Sequence, residues 1–184
     1  MTTTATTRRL SLKAQTIGAA AAIVSAVVLP QLLHAIGAST GLGSALGEIL
    51  LPMHFPIILA GLLAGPYAAM TAGVLSPLLS FALTGMPAPA MLPFMMLELA
   101  VYGLCAGLLR TVSLPDTAKV LIVQLCGRIV RAGAILVVFY GFGGSVQPAV
   151  ILTSIRMGLI GIALQLILIP VILACLRRTD RASS

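Results

Sequence analysis

The sequence predicts an all-α integral membrane protein with six transmembrane helices and both termini in the cytoplasm. Hydrophobic residues make up 59% of the 184-residue chain and charged residues only 8%, whereas soluble domains carry about 25% charged residues. Lysines and arginines cluster at both ends of the chain and in segment 110–119, which is the pattern of cytoplasmic segments. The apolar run 50–93 contains seven prolines and four glycines. Broken helices of that kind are tolerated in membranes where they line a cavity.

We predict a disordered cytoplasmic tail at 1–12, a single six-helix membrane domain at 13–177 and a second cytoplasmic tail at 178–184. The first helix is expected at 13–36. Small residues recur along it at every fourth position: Ala14, Gly18, Ala22 and Ala26. Such a stripe lets helix backbones approach closely in lipid. It has two interpretations, packing inside this protein or docking to a partner subunit in the membrane.

The other five helices are each long enough, or nearly so, to cross a bilayer, which takes about 20 residues. They are predicted at 50–64, 67–83, 93–109, 120–140 and 149–176. The second is short and interrupted by proline, and Gly65-Pro66 predicts a tight turn into the third. The connectors on the outer side are 37–49, 84–92 and 141–148, and they contain no lysine or arginine. This asymmetry places the basic segments inside the cell.

Ionisable residues within the predicted spans point to a binding site, because such groups usually face a protein interior or a water-filled cavity. The candidate substrate-binding residues are Arg131, Arg156, Glu98, His54, Arg128 and Tyr102. Helical spacing places Arg128 and Arg131 on one face of the fifth helix, and Glu98 and Tyr102 on one face of the fourth. Counted from the helix ends, Glu98, Arg131 and Arg156 lie at depths that allow them to meet in the outer half of the membrane.

Three arginines at these depths face one acid, Glu98. A guanidinium stays protonated and binds carboxylates through two parallel hydrogen bonds. We therefore expect at least one of Arg131 and Arg156 to bind an anionic ligand group. For Arg128, which lies one turn deeper, ligand contact and tying the helices together both remain open. The alternative is a buried Glu98–arginine pair that only holds the helices in register. For His54, a structural role (capping a helix end or bonding to Glu48) and direct ligand contact remain equally open.

Other functional classes find less support in the sequence. The three cysteines form no CxxC pair, so we expect neither a metal nor a cofactor. An intramembrane enzyme needs a nucleophile with a base, or a metal motif such as HExxH, and neither pattern occurs. We therefore predict no catalytic residues. The basic residues flank the helices rather than forming a nucleic-acid-binding face. An autonomous small-solute transporter and a ligand-free assembly subunit remain as alternatives.

Two segments carry a family resemblance: LLPMHFPIILAGLLAGPYAAMTAGVLSPLLSFALTGMP and MLELAVYGLCAGLL. With their PMHFP, LTGMP and ELAVYG motifs, they resemble the substrate-specific (S) components of energy-coupling factor (ECF) vitamin transporters. The resemblance covers residues 45–110 well and the rest mainly by topology. It implies a six-helix S component in the cell's inner (cytoplasmic) membrane that captures a vitamin or related micronutrient from outside.

The resemblance also implies partners. An S component delivers its ligand to a membrane coupling subunit and two cytosolic ATPases, which agrees with the absence of a Walker A motif from this sequence. The ligand would be covered by connector 37–49, and the small residues of the first helix would contact the coupling subunit. The surplus of arginines favours a carboxylate-bearing ligand such as pantothenate over a neutral precursor. Cobalamin and queuosine-type ligands remain open.

Overall fold

The computed structural model describes residues 11–43 and 45–182, and helix is the only regular secondary structure in that part of the chain. The helices are α1 (Leu12–Thr40), α2 (Ala45–Leu50), α3 (His54–Ala64), α4 (Pro66–Thr84), α5 (Leu92–Leu109), α6 (Asp116–Phe142) and α7 (Ala149–Ala182). Because α2 and α3 together form one segment, six segments of the described chain are long and apolar enough to cross a membrane. The predicted all-α, six-span architecture is confirmed. The predicted tail 1–12 lies almost entirely outside the described residues.

The second span is broken at residues 51–53, and its start differs from the prediction. The predicted connector 37–49 is largely helical, because α1 continues to Thr40 and α2 begins at Ala45. Leu51 has a positive φ of 51°, and Pro52 follows it. A residue before proline is sterically disfavoured in the α conformation, so helix α2 ends at this point and α3 begins at His54.

The turn between α3 and α4 follows the prediction closely. Gly65 has a φ of 100°, which only glycine adopts at no steric cost. Pro66 then begins α4, at a position where its missing N–H leaves no intrahelical hydrogen bond unmade. Gly65 and Pro66 therefore form the tight turn between α3 and α4.

Close packing of α4 against α5 forms the centre of the bundle. Glycines on both helices let the backbones meet, since a Cβ at Gly73 would overlap the Leu99 carbonyl and one at Gly103 would overlap the Ala69 carbonyl. Gly107 lies against the Pro66 backbone in the same way. These contacts fix the position of Glu98 and Tyr102, which belong to the same turns of α5.

Replacing Gly103 by alanine is expected to lower the free energy of unfolding by about 1–3 kcal/mol, because α4 must move away from α5. Gly133→Ala on α6 is the matched control. A Cβ there meets no heavy atom within 4 Å, so this change should raise stability by roughly 0.5–1 kcal/mol through helix propensity. Denaturant titration of both variants in detergent measures the difference. Equal stabilities would contradict the packing role of Gly103.

Two of the four residues in the small-residue stripe of α1 are buried inside the protein. Ala22 is 4% exposed and Ala26 is 0% exposed, and both belong to the core formed with α3, α4 and α5. A Cβ at Gly18 would lie 2.6 Å from the Cβ of Ala64. Ala14 is half-buried. Neighbouring helices cover the side chains of Ala22 and Ala26, and docking of the stripe to a partner subunit stays a prediction.

The start of α6 and the end of α7 differ slightly from prediction. Both lie at the end of the bundle opposite the connectors after α1, α4 and α6. The fifth predicted helix begins earlier, at Asp116 after Pro115, and α7 continues to Ala182, through most of the predicted tail 178–184. Asp116 Oδ2 lies 2.8 Å from Arg177 Nη1. This exposed ion pair joins the start of α6 to the end of α7.

Candidate functional site

A cavity of about 480 Å³ opens among the helices at the end of the bundle that carries the connectors after α1, α4 and α6. The break in the second span forms one side of it, through residues 51–54, and Gly47 and Glu48 of α2 contribute beside them. The connector after α4 and parts of α1, α4, α5, α6 and α7 form the rest of the wall. The volume falls within the range of about 300–1,000 Å³ that is usual for small-molecule sites.

Most of the wall is apolar. Five methionines line it: Met53, Met86, Met91, Met95 and Met157. Methionine side chains are flexible and polarisable, so they adapt to a ligand's shape and make favourable contacts with aromatic groups. The wall therefore suits a ligand whose body is largely apolar, with its polar groups at defined points.

Glu98 is the centre of the polar part of the site. Its side chain is fully buried. Arg131 Nη1 donates a hydrogen bond to Oε2 at 2.9 Å, and the Tyr102 hydroxyl donates one to Oε1 at 2.9 Å. The Tyr102 ring lies against Gly127 of α6, where any Cβ would overlap the ring. Glu98 thus holds α5 and α6 together, and Arg131 is already neutralised by its partner.

Arg128 has hydrogen-bond donors that the described part of the chain leaves unused. It lines the cavity, and its Nε and Nη2 atoms are buried with no hydrogen-bond partner among the described residues. Nη2 lies against Gly158 of α7, 2.9 Å from where a Cβ would stand. A buried guanidinium with unused donors is costly, so this group is suited to bind an anion.

His54 lies between the cavity and the Glu98 side chain. It is 3% exposed, lines the cavity and has its ring centre 5.3 Å from that of Tyr102. Its Nε2 is 3.7 Å from Glu98 Oε2, which is beyond hydrogen-bond distance. Within the described structure neither ring nitrogen has a hydrogen-bond partner. His54 also begins α3, so backbone N–H groups of that helix start beside it.

The structure brings together five of the six predicted site residues and leaves Arg156 outside. Arg156 is exposed and lines neither described cavity, so the prediction that it meets Glu98 is wrong. The inward face of α7 is set by Ser154, whose Oγ accepts a hydrogen bond from Arg131 Nη2 at 3.3 Å. Arg156 follows Ser154 by two residues, which corresponds to a rotation of about 200° around the helix axis. Arg156 therefore points away from the bundle.

Sequence reasoning missed the contribution of α7 and of α1. Ser154 and Met157 line the cavity, and so does His34 of α1. A signal for the α7 face exists in the sequence: Ser154, Gly158, Gly161 and Gln165 recur at helical spacing in an otherwise apolar helix. Small and polar residues of that kind mark the packed face of a membrane helix. The charge of Arg156 drew attention to the wrong face.

A model of a known family matches this chain over residues 14–173, and its description is "ECF transporter, substrate-specific component". The chain belongs to this family. No curated protein and no solved structure shows significant similarity to it.

Membership in the ECF S-component family establishes the general function of this chain. S components are substrate-binding transport subunits, not enzymes; they capture a vitamin or related micronutrient and work with an ECF module. In this S component the cavity lies at the end of the bundle that carries the connectors after α1, α4 and α6. Of the connector predicted to cover the ligand, 37–49, Gly47 and Glu48 line the cavity.

Proposed function

We propose that this S component captures a small carboxylate-bearing micronutrient and that Arg128 binds its carboxylate. The observation that carries the proposal is that Arg128 lines the cavity and has two buried donors, Nε and Nη2, that no described residue uses. Arg131 cannot play this part as well, because its charge is already balanced by Glu98. The sequence alone favoured Arg131 and Arg156, and the geometry supports Arg128 instead.

Two neighbouring features favour an anion at the same place. The N-terminus of α3 opens at the cavity beside His54, and a helix N-terminus carries partial positive charge. Half-helices that begin inside a membrane commonly point their N-termini at anionic substrate groups. Glu48, the acidic residue on the cavity wall, is exposed at its rim on α2, so it does not balance the buried Arg128.

The size of the cavity supports a ligand of the pantothenate class. Pantothenate combines one carboxylate with amide and hydroxyl groups, and its few non-hydrogen atoms fit within about 480 Å³. A corrinoid is several times larger than pantothenate, so a cavity of this volume favours the smaller ligand. His54 and Ser80, which both line the cavity, would bind the uncharged polar groups.

The ligand would enter from outside the cell and leave through the ECF module. We propose that the protein lies in the inner (cytoplasmic) membrane with both termini in the cytoplasm, as its basic residues favour. The module would consist of a membrane coupling subunit and two cytosolic ATPases, as the family resemblance implies. ATP hydrolysis would take place on those partners.

Native mass spectrometry of the purified protein tests the ligand class. We expect one equivalent of a small molecule bearing a carboxylate to be released when the protein is unfolded in the gas phase. The control is the same preparation of Arg128→Gln, which should carry little or none of it. A cationic or uncharged molecule, bound equally by both preparations, would overturn the assignment to Arg128 while leaving membership in the family intact.

A further inference from the structure

The corner at Leu51 is held in a conformation that leucine rarely adopts. Its φ of 51° lies in the left-handed region, where a side chain with a Cβ is sterically disfavoured. The corner connects α2 to α3 and lies on the cavity wall. Such a residue stays in place only when surrounding contacts hold it there.

Gln165 of α7 supplies the contact. Its Nε2 donates a hydrogen bond to the Leu51 carbonyl at 3.1 Å, and the same carbonyl accepts from the backbone N–H of His54 at 3.1 Å. Gln124 Nε2 of α6 in turn donates to Gln165 Oε1 at 2.6 Å. Gln165 and Gln124 are 1% and 2% exposed. A buried chain of amides thus runs from α6 through α7 to the Leu51 corner.

The surface of α7 is shaped to receive α2 and the corner. A Cβ at Gly161 would lie 2.6 Å from the Ile49 carbonyl oxygen. A Cβ at Gly158 would lie 3.0 Å from Leu51 Cδ1 and 2.9 Å from Arg128 Nη2. The corner and the proposed anion-binding group therefore meet at the same groove of α7.

We propose that Gln165 is a positioning residue that holds α2 and the Leu51 corner closed on the cavity, so that loss of its hydrogen bond opens the cavity. Three facts support it: the strained corner, the buried amide that binds its carbonyl, and the glycine groove in which α2 lies. The inference deepens the proposed function, since it describes access to the same site. It depends on the cavity, however, and not on the identity of the ligand.

Access to the cavity is measured with an anionic thiol reagent, 2-sulfonatoethyl methanethiosulfonate. The reporter is Ser80→Cys, a buried position on the cavity wall, in a full-length chain whose Cys105, Cys126 and Cys175 are replaced by alanine. Gln165→Met keeps the length of the side chain and removes its hydrogen bonds. We expect this change to raise the labelling rate of the reporter about tenfold. Gln147→Met, in the exposed connector before α7, is the matched control and should leave the rate unchanged.

Two further measurements separate opening of the corner from general loosening. A second reporter, Val123→Cys, is fully buried away from the cavity wall and should label no faster in Gln165→Met. If Gln165→Met does not fold, Gly161→Ala displaces the α2 carbonyl without removing a polar group and should raise Ser80→Cys labelling in the same way. An unchanged rate at Ser80→Cys, or an equal rise at both reporters, would overturn the proposal. Labelling is measured after any co-purified ligand has been released and removed, so this result does not depend on which molecule the mass-spectrometric test identifies.

Discussion

Arg128→Gln is expected to weaken binding of the carboxylate-bearing ligand about 100-fold, equivalent to roughly 2.7 kcal/mol. Arg128 is a half-buried cation whose buried Nε and Nη2 donors are unused in the described structure, and charge-assisted hydrogen bonds from it to a ligand carboxylate would be about twice as strong as bonds between neutral groups. Glutamine keeps a polar side chain but removes the charge. Isothermal titration in detergent, with the anion that co-purifies or with pantothenate, measures the loss.

Arg156→Gln is the matched control for this experiment. It removes the same charge from α7, at a position that is exposed and lines neither described cavity. The affinity of this variant should stay within about twofold of that of the unmodified protein, since the Arg156 side chain lines neither described cavity. A large loss in Arg156→Gln together with no loss in Arg128→Gln would reverse the assignment.

Glu98→Ala is expected to lower the free energy of unfolding by about 3–5 kcal/mol, the cost of leaving one member of a buried ion pair alone. The change removes the acceptor of both Arg131 and the Tyr102 hydroxyl. Glu48→Ala is the control, because Glu48 is exposed and such substitutions usually change stability by less than about 0.5 kcal/mol. Denaturant titration in detergent measures both.

A double variant shows whether the loss comes from the unpaired charge. Replacing the pair together, as Glu98→Leu with Arg131→Met, leaves neither member of the pair charged, and apolar replacements of a whole pair are often close to neutral. We therefore expect the double variant to be more stable than Glu98→Ala alone. If the double variant is instead the less stable of the two, the ion pair itself contributes net stability, and an unpaired Arg131 does not explain the loss in Glu98→Ala.

The sequence determined the membrane architecture because the signals involved are local. A segment is driven into the bilayer by its own hydropathy, and basic flanks fix its direction; neither effect needs a partner. The turn at Gly65-Pro66 could be predicted for the same reason, since positive φ and a missing N–H are properties of those residues themselves. The prolines at 52 and 56 likewise predicted an interrupted second span, although not that α2 would form before the break.

The composition of the site could be predicted only in part. Helical spacing correctly placed Arg128 and Arg131 on one face of α6, and Glu98 with Tyr102 on one face of α5, because spacing within a helix is fixed by its geometry. The depth argument also brought Arg131 to Glu98. The same argument also predicted that Arg156 could meet Glu98. That prediction failed because depth along a helix carries no information on the direction in which a side chain points around the helix axis.

Tertiary structure alone decided which arginine is paired with Glu98 and which keeps unused donors. All three arginines are costly in a membrane, and the predicted spans offer one acid for them. The rotation of α7 about its axis turns Arg156 away from the site. That rotation follows from the packing of Gly161 against α2 and from the hydrogen bond between Gln165 and Gln124 of α6. Helix α5 packs against α6 where the Tyr102 ring contacts Gly127. This packing brings Glu98 within hydrogen-bond distance of Arg131. Which donors Arg128 keeps unused depends on contacts between helices far apart in the chain, which no local pattern contains.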